Sequence, residues 1–334
     1  MIDLVFPGDS LTTLTNGLRG PDEGAAVALA RPAYAGPRTR LLVQRAALAP
    51  DDAYAERTRT AVRLHDDYTL RLENEARRHG WSVVYCHTHP GSSGIPRFSG
   101  RDDASEKALA DYLHHRNPGK PHVSLLIGDA GLSARVLGTS DTPVRVVEVG
   151  RSVRFHGGVV PALELAPEHD RQILAFGEEG QRLLHSLRVG VVGLGGTGSV
   201  VAQQLAHLGV DDYVLIDHDH LDRTNLNRVA GARPRDVGAA KIAVAERMIR
   251  ELRPSPRIES HRKDVALDGT ARALLATDFV FCCTDSHAGR DLLNHLAAAT
   301  SSRSSTWASR STPSRRAASA CWARSSSSPR DSHA

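Results

Sequence analysis

Short apolar runs alternate with polar stretches through the first 140 residues. AAVALA (25–30), RLLVQRAAL (40–48), SVVYCH (82–87), VSLLIG (123–128) and ARVLG (134–138) each have the length and composition of a buried or half-buried strand. A polar stretch over 66–79 and another after Asp102 carry helical spacing instead, so this part of the chain predicts a mixed α+β domain. A Pro/Gly-punctuated section from about 141 to 165 predicts a linker, or a last strand and a connection. From Glu168 to about Ala299 the pattern becomes regular: strand LRVGVVG, a Gly-rich turn, helix SVVAQQLAHLG, strand YVLID, helix AKIAVAERMIREL and strand DFVFCCT. Strand, tight glycine turn, helix, strand is the order of a parallel nucleotide-binding α/β sheet. The expected layout is an α+β domain over 1–145, a linker over 146–167, a Rossmann-like α/β domain over 168–300, and a tail over 301–334.

The tail changes how the charge is read. It holds 13 serines and six arginines against one aspartate, so it contributes +5 to a chain whose formal net charge is +4, and the first 300 residues net −1. The basic balance therefore gives no support for a nucleic-acid partner. Its composition predicts disorder. Read one base out of frame with permitted codons, the stretch from Ser302 becomes an apolar strand, a hairpin and a Pro-Cys turn, so a truncated or frame-shifted end is the expectation. A length of 334 residues suits two domains. No run of about 18 apolar residues occurs, and the first ten residues lack the regions of a signal peptide, so a cytoplasmic protein without a membrane partner is expected. Four cysteines, two of them adjacent at Cys282 and Cys283, form no CxxC pair and are expected to be reduced and mostly buried.

Candidate chemistry begins in the first domain. In the strand SVVYCHTHP, His87 and His89 stand at i and i+2 and so share a face, where they can hold one metal. A catalytic zinc takes three protein ligands. Asp102 is the obvious third, at the start of the helix DDASEKALADYL, where Ser99 or Asp102 can also act as N-cap. His87-Thr88-His89-Pro90, Ser99 and Asp102 resemble the JAMM (MPN, Mov34) metalloprotease pattern of His-x-His-Pro followed by Ser-x-x-Asp. The resemblance implies His87, His89 and Asp102 as zinc ligands, Ser99 as the serine beside the developing oxyanion, and an upstream glutamate as general base. Glu23 lies in the right place for that glutamate, with Asp22, Glu73 and Glu75 also upstream. The span from His89 to Asp102 is about two residues longer than the family's, which places an insertion in GSSGIPRF.

In the second domain Gly193, Gly195, Gly196 and Gly198 lie between a strand and a helix, the context in which backbone N–H groups and a helix N-terminus meet phosphates. Asp217 follows at the end of the next strand, where a carboxylate can bind ribose. These features alone suit NAD and ATP equally. The continuation IDHDHLDRTNLNR, GAAK and CCTDSHAGR resembles the ThiF/MoeB/HesA family, the adenylating domains related to ubiquitin-activating enzymes. Asp217 and Asp219, Asn225 to Arg228, Lys241 and Asp285 match its motifs, and Arg171 falls where the family contributes an arginine to a neighbouring subunit's ATP site.

The resemblance implies ATP and magnesium as cofactors, with Asp285 on magnesium and Asp217 on ribose. It puts Asn225 or Asn227 on phosphates or adenosine, and has Arg171, Arg228 and Lys241 offset the repulsion between a carboxylate and the α-phosphate. It also implies a homodimer through the ThiF-type domain. The family's later strands, acceptor surface and thioester cysteine have no counterpart, and Cys321 lacks the matching context, so a nucleotide pocket is expected more firmly than a complete adenylation reaction. An α/β sheet ending at DFVFCCT is expected to leave an apolar edge. Together the two resemblances imply a bacterial fusion that trims and adenylates the Gly-Gly end of a ubiquitin-like or sulfur-carrier protein. The alternative is a non-catalytic nucleotide-binding scaffold of the same ancestry.

Overall fold

A computed structural model describes residues 1–35, 38–139, 142–150, 152–156, 165–267, 269–300 and 303–306. The first domain runs β1 (Ile2–Pro7), α1 (Ser10–Leu18), β2 (Ala25–Ala35), β3 (Arg38–Leu48), β4 (Tyr54–Thr58), β5 (Ala61–Leu64), α2 (Asp66–His79), β6 (Ser82–His89), α3 (Gly100–Arg116), β7 (Val123–Gly128), β8 (Leu132–Val136), β9 (Arg145–Val149) and β10 (Val153–His156). Eight of these strands make one mixed sheet in the order β10-β9-β1-β3-β2-β6-β7-β8, while β4 and β5 form a separate hairpin. Alternation along β2 explains the layering. Ala26, Ala28 and Ala30 face α1, with Leu11, Leu14 and Leu18, whereas Val27 and Leu29 face α2 and α3 through Leu72, Ala76, Ala110 and Leu113. The 66–79 helix forms over that span, with Asp66 and Asp67 in its first turn, Arg77 and Arg78 in its last, and Gly80 closing it in the left-handed conformation at φ 66°.

The second domain runs α4 (Asp170–Ser186), β11 (Arg188–Val192), α5 (Gly196–His207), β12 (Asp212–Ile216), α6 (Lys241–Leu252), β13 (Arg257–His261), β14 (Phe279–Cys282), α7 (His287–Thr300) and β15 (Arg303–Thr306). Its five strands are all parallel, in the order β13-β12-β11-β14-β15. α5 and α6 cover one face through Ala202, Leu205, Ala245 and Ile249. Leu274 and Leu293, the latter on α7, cover the other. This is the parallel α/β sheet that the strand, turn, helix, strand order predicts.

Three expectations are corrected. The linker from 146 gives way to β9 and β10, because β9 pairs parallel to β1 along Asp3–Pro7 and β10 folds back antiparallel on it. Backbone pairing with a distant strand overrides local Pro/Gly punctuation there. In the tail, Arg303–Thr306 form β15 beside β14, since the open edge of β14 offers a row of backbone partners to a polar segment. For the same reason β14 is not left bare. The rest of the tail, with Cys321, lies outside the described residues. Cys86 and Cys282 are buried and Cys283 half-buried, all as free thiols. Burial pushes the Cys86 thiol up to about 12 and that of Cys283 to about 11. No described helix is long and apolar enough to cross a membrane.

Candidate functional site

The end of β6 carries His87 and His89 on the face toward α3, and α3 begins at Ser99 and Asp102. The two elements meet because Ser99 and Asp102 form a reciprocal capping box. Ser99 Oγ accepts from the Asp102 amide at 3.3 Å, and Asp102 Oδ2 accepts from the Ser99 amide at 2.6 Å. The Asp102 carboxylate then faces both imidazoles, Oδ1 3.2 Å from His87 Nε2 and Oδ2 3.5 Å from His89 Nε2. His87, His89 and Asp102 are the one group of metal-capable side chains that converges among the described residues.

Glu23 completes the set, with Oε1 3.8 Å from His89 Nε2. Its place is set by backbone pairing: Ala25 opposes His87 in the β2–β6 ladder. Gly24 N donates to Thr88 Oγ1 at 2.7 Å, and Thr88 N donates to Gly24 O at 3.0 Å. Of the other upstream acids, Glu73 bonds Tyr85 and Glu75 bonds Arg45, so Glu23 is the one brought to the cluster.

The electrostatics suit a cation. His87 Nε2 is buried and makes no hydrogen bond despite its approach to Asp102. A buried imidazole nitrogen without a hydrogen-bond partner beside a carboxylate fits an N/O donor set for a metal such as zinc. Burial pushes the Glu23 carboxyl above its ordinary range, offset in part by His87. Burial and then His87 push His89 down. Burial also raises Asp102, but His87 and the Ser99 amide outweigh it and hold that carboxyl well below the usual range. The cleft around the cluster is about 550 Å³ and includes Glu56, Thr60 and Arg63 from the β4–β5 hairpin and Arg101 from α3. The hairpin residues were not singled out in the sequence, since a polar hairpin 30 residues upstream shows no periodic signal that places it at the cleft.

The second site lies at the carboxyl ends of β11, β12 and β14, in a cleft of about 440 Å³. The four glycines there have different reasons. A Cβ on Gly198 would fall 1.7 Å from Gly193 O, and one on Gly193, at φ 87°, would meet Cys283 O at 2.8 Å. On Gly196 it would press on the Arg228 stem at 3.2 Å. On Gly195 it would meet nothing within 4 Å, so that glycine leaves open space above the N-terminus of α5, which has no side-chain cap. Free N–H groups at a helix start, with room in front of them, fit a phosphate.

Of the expected residues, Gly193, Gly195, Gly196, Asp217, Asp219, Arg228, Lys241 and Asp285 line this cleft. Lys241 Nζ donates to Asp219 Oδ2 at 2.7 Å, which draws the Asp219 carboxyl down. Asp217 already accepts two amides, from Leu194 at 2.5 Å and Asp219 at 2.7 Å, and so ties the glycine turn to the end of β12. Four expected residues are not brought to the wall: Gly198, which lies packed under Gly193 O, Asn225, Asn227 and Arg171. Asn225 closes a capping box, its Oδ1 accepting from the Asp222 amide at 3.2 Å, and Asn227 Oδ1 accepts from Arg228 at 3.4 Å. Arg171 is exposed on the first turn of α4. Thr197, Lys263, Asp264 and Thr284 also line the cleft and were missed; their signal was position, just past strand ends in a parallel sheet.

Residues 169–314 match the model of the ThiF family. The adenylyltransferase and sulfurtransferase MOCS3 of Drosophila willistoni is 36% identical over 128 residues, 38% of this chain and 28% of that protein. The SAMP-activating enzyme E1 of Haloferax volcanii is 36% identical over 120 residues, 36% of this chain and 44% of that protein. The chain thus spans less than half the length of these relatives. Among solved structures, Escherichia coli tRNA N6-threonylcarbamoyladenosine dehydratase in complex with ATP is 27% identical with a TM-score of 0.41, covering 43% of this chain and 61% of that one.

Proposed function

We propose that the ThiF domain adenylates the C-terminal Gly-Gly of a ubiquitin-like or sulfur-carrier protein, and that the first domain is a JAMM-type zinc peptidase acting on the same carrier. The observation that carries the coupled reading is the convergence of His87, His89, Asp102 and Glu23 in one cleft of a chain that also holds a ThiF domain. His87, His89 and Asp102 would hold a zinc ion, which would supply Lewis acidity toward a scissile carbonyl and water. Glu23 takes the proton of the attacking water. Ser99 Oγ accepts from an amide, which leaves its own proton to donate to the developing oxyanion.

In the second cleft the carrier carboxylate attacks the α-phosphate of ATP. The bare α5 N-terminus receives phosphate, Arg228 and Lys241 offset the charge of the two anions, and Asp285 would hold magnesium, which would supply charge neutralisation for the leaving pyrophosphate. Asp217 keeps the glycine turn in place and has lone pairs left for a ribose hydroxyl. Arg171 serves the site of a second copy. The relatives' names, an adenylyltransferase and sulfurtransferase and a SAMP-activating E1, support this chemistry.

One observation favours the scaffold alternative: Asn225 and Asn227 are engaged within their own loop and absent from the nucleotide wall. The deciding experiment measures zinc per chain, cleavage of a Gly-Gly-extended carrier peptide, and carrier-dependent exchange of pyrophosphate into ATP. The parent is compared with His89→Ala and Lys241→Ala. One zinc and cleavage, both lost in His89→Ala, together with exchange lost in Lys241→Ala, are expected. A parent that binds ATP yet shows no zinc, cleavage or exchange is a scaffold.

A further inference from the structure

A second cleft of about 540 Å³ lies on the opposite side of β6 from the metal ligands, between α1 and the ends of β6, β7 and β9. Successive side chains of a strand point to opposite faces, so Thr88 belongs to this cleft while His87 and His89 belong to the other. Its apolar wall includes Leu11 and Leu18. Its polar wall is unusual. Glu148 is only 4% exposed, and each of its carboxylate oxygens accepts one side-chain hydrogen bond, which leaves lone pairs for a further donor. Oε1 accepts from Thr12 Oγ1 at 3.1 Å, and Oε2 accepts from Arg154 Nη1 at 3.4 Å, an ion pair whose arginine side chain is 62% exposed. His156 Nε2 stands 3.8 Å from the same Oε2, buried and without a hydrogen-bond partner among the described residues. A buried imidazole nitrogen without a partner is costly, and the neighbouring carboxylate oxygen can accept a second donor besides Arg154.

We propose that this cleft binds a small zwitterion, a free α-amino acid or a short peptide, with its ammonium between Glu148 Oε2 and His156 Nε2 and its carboxylate on the guanidinium groups of Arg19 and Arg154. An ammonium has three donors and no acceptor, which matches two adjacent acceptors when His156 carries its proton on Nδ1. A simple anion is repelled by Glu148, and a simple cation makes no use of Arg19 at the cleft wall. The volume falls in the range of small-ligand sites, about 300 to 1,000 Å³, and the leucines receive a side chain. Thr88, which accepts from Gly24 next to Glu23, forms part of the wall, so the occupant touches the strand end that holds the metal ligands. This site is independent of the peptidase and adenylation readings.

The test is calorimetric titration of the full chain with glycine, leucine and glycylglycine, and with their N-acetyl and C-amide forms. At least one zwitterion is expected to saturate, with about tenfold weaker binding after either charge is removed or in Glu148→Gln. Thr15→Trp, at the cleft mouth, is expected to abolish binding while leaving the melting temperature unchanged. Preference for glycylglycine identifies a peptide end, and preference for glycine or leucine a free amino acid. No saturation by about 10 mM, equal binding of the N-acetyl form, or binding that survives Thr15→Trp overturns the proposal.

Discussion

Arg145 on β9 and Asp278 at the foot of β14 belong to different sheets and are joined by a hydrogen bond of 2.5 Å from Nη2 to Oδ1. Arg145 also grips Asp3 with two bonds of 2.9 and 3.0 Å. The other oxygen of Asp278 accepts from Arg38 and from the Arg188 amide, each at 2.9 Å. Arg40 donates to the Thr277 carbonyl beside it. Burial pushes the Asp278 carboxyl up, but Arg145 and Arg38 outweigh it and hold it below its ordinary range. The two domains are thus clasped by a buried charge cluster, reinforced by Phe155 against Phe279.

Asp278→Ala leaves Arg38 buried without its partner and Arg145 with Asp3 alone. Breaking a buried pair on one side costs about 3–5 kcal/mol, so urea unfolding at neutral pH should show a loss of that order, or a separate earlier transition. Glu178→Ala removes only the exposed partner of Arg182 and should change stability by less than about 0.5 kcal/mol. Equal curves for the two variants would mean that the domains do not depend on the clasp.

Gly195→Ala and Gly198→Ala separate folding from ligand binding. The first adds a methyl to open space and the second drives one into Gly193 O. Gly195→Ala should melt within a few degrees of the parent and bind ATP at least about tenfold more weakly, because the methyl occupies the space before the α5 N-terminus. Gly198→Ala should lose stability itself, by about 1–3 kcal/mol. Unchanged ATP affinity in Gly195→Ala would remove that glycine from the phosphate site.

Ser99 and Asp102 cap α3 as well as bordering the metal cluster. Ser99→Ala should cost about 1 kcal/mol through the lost cap. Added zinc should raise the melting temperature of both the parent and Ser99→Ala, because Ser99 is no ligand. It should not raise that of Asp102→Ala. A zinc-induced rise of equal size in Asp102→Ala would exclude that carboxylate as a ligand.

His122 predicts a pH dependence. Its Nδ1 accepts from Val83 N at 3.0 Å, and burial lowers its pKa from 6.5 to about 4. The folded protein therefore binds this proton less readily than the unfolded chain, so stability is full above about 6.5 and falls as pH drops from there toward about 4. His122→Asn, which keeps an acceptor for Val83, should flatten that part of the curve in unfolding measured from pH 7 to 4.

What the chain determined by itself is what depends on near neighbours. The 66–79 helix, the β6 strand and the strand, turn, helix order around Gly193 follow from apolar period and local caps, and His87 and His89 share a face because a strand alternates. Asp102 was legible for a similar reason, since its capping box is a three-residue pattern. Only the tertiary structure decided what depends on distant backbone pairing. Partnership with β1 turned 145–149 into a strand on which 153–156 fold back, the β2–β6 ladder brought Glu23 to the cluster, and amide bonding gave Asp217 a structural duty. The clasp at Asp278 and the cleft around Glu148 join residues more than 100 positions apart, and no local period in a sequence records which charged side chains a fold will bury together.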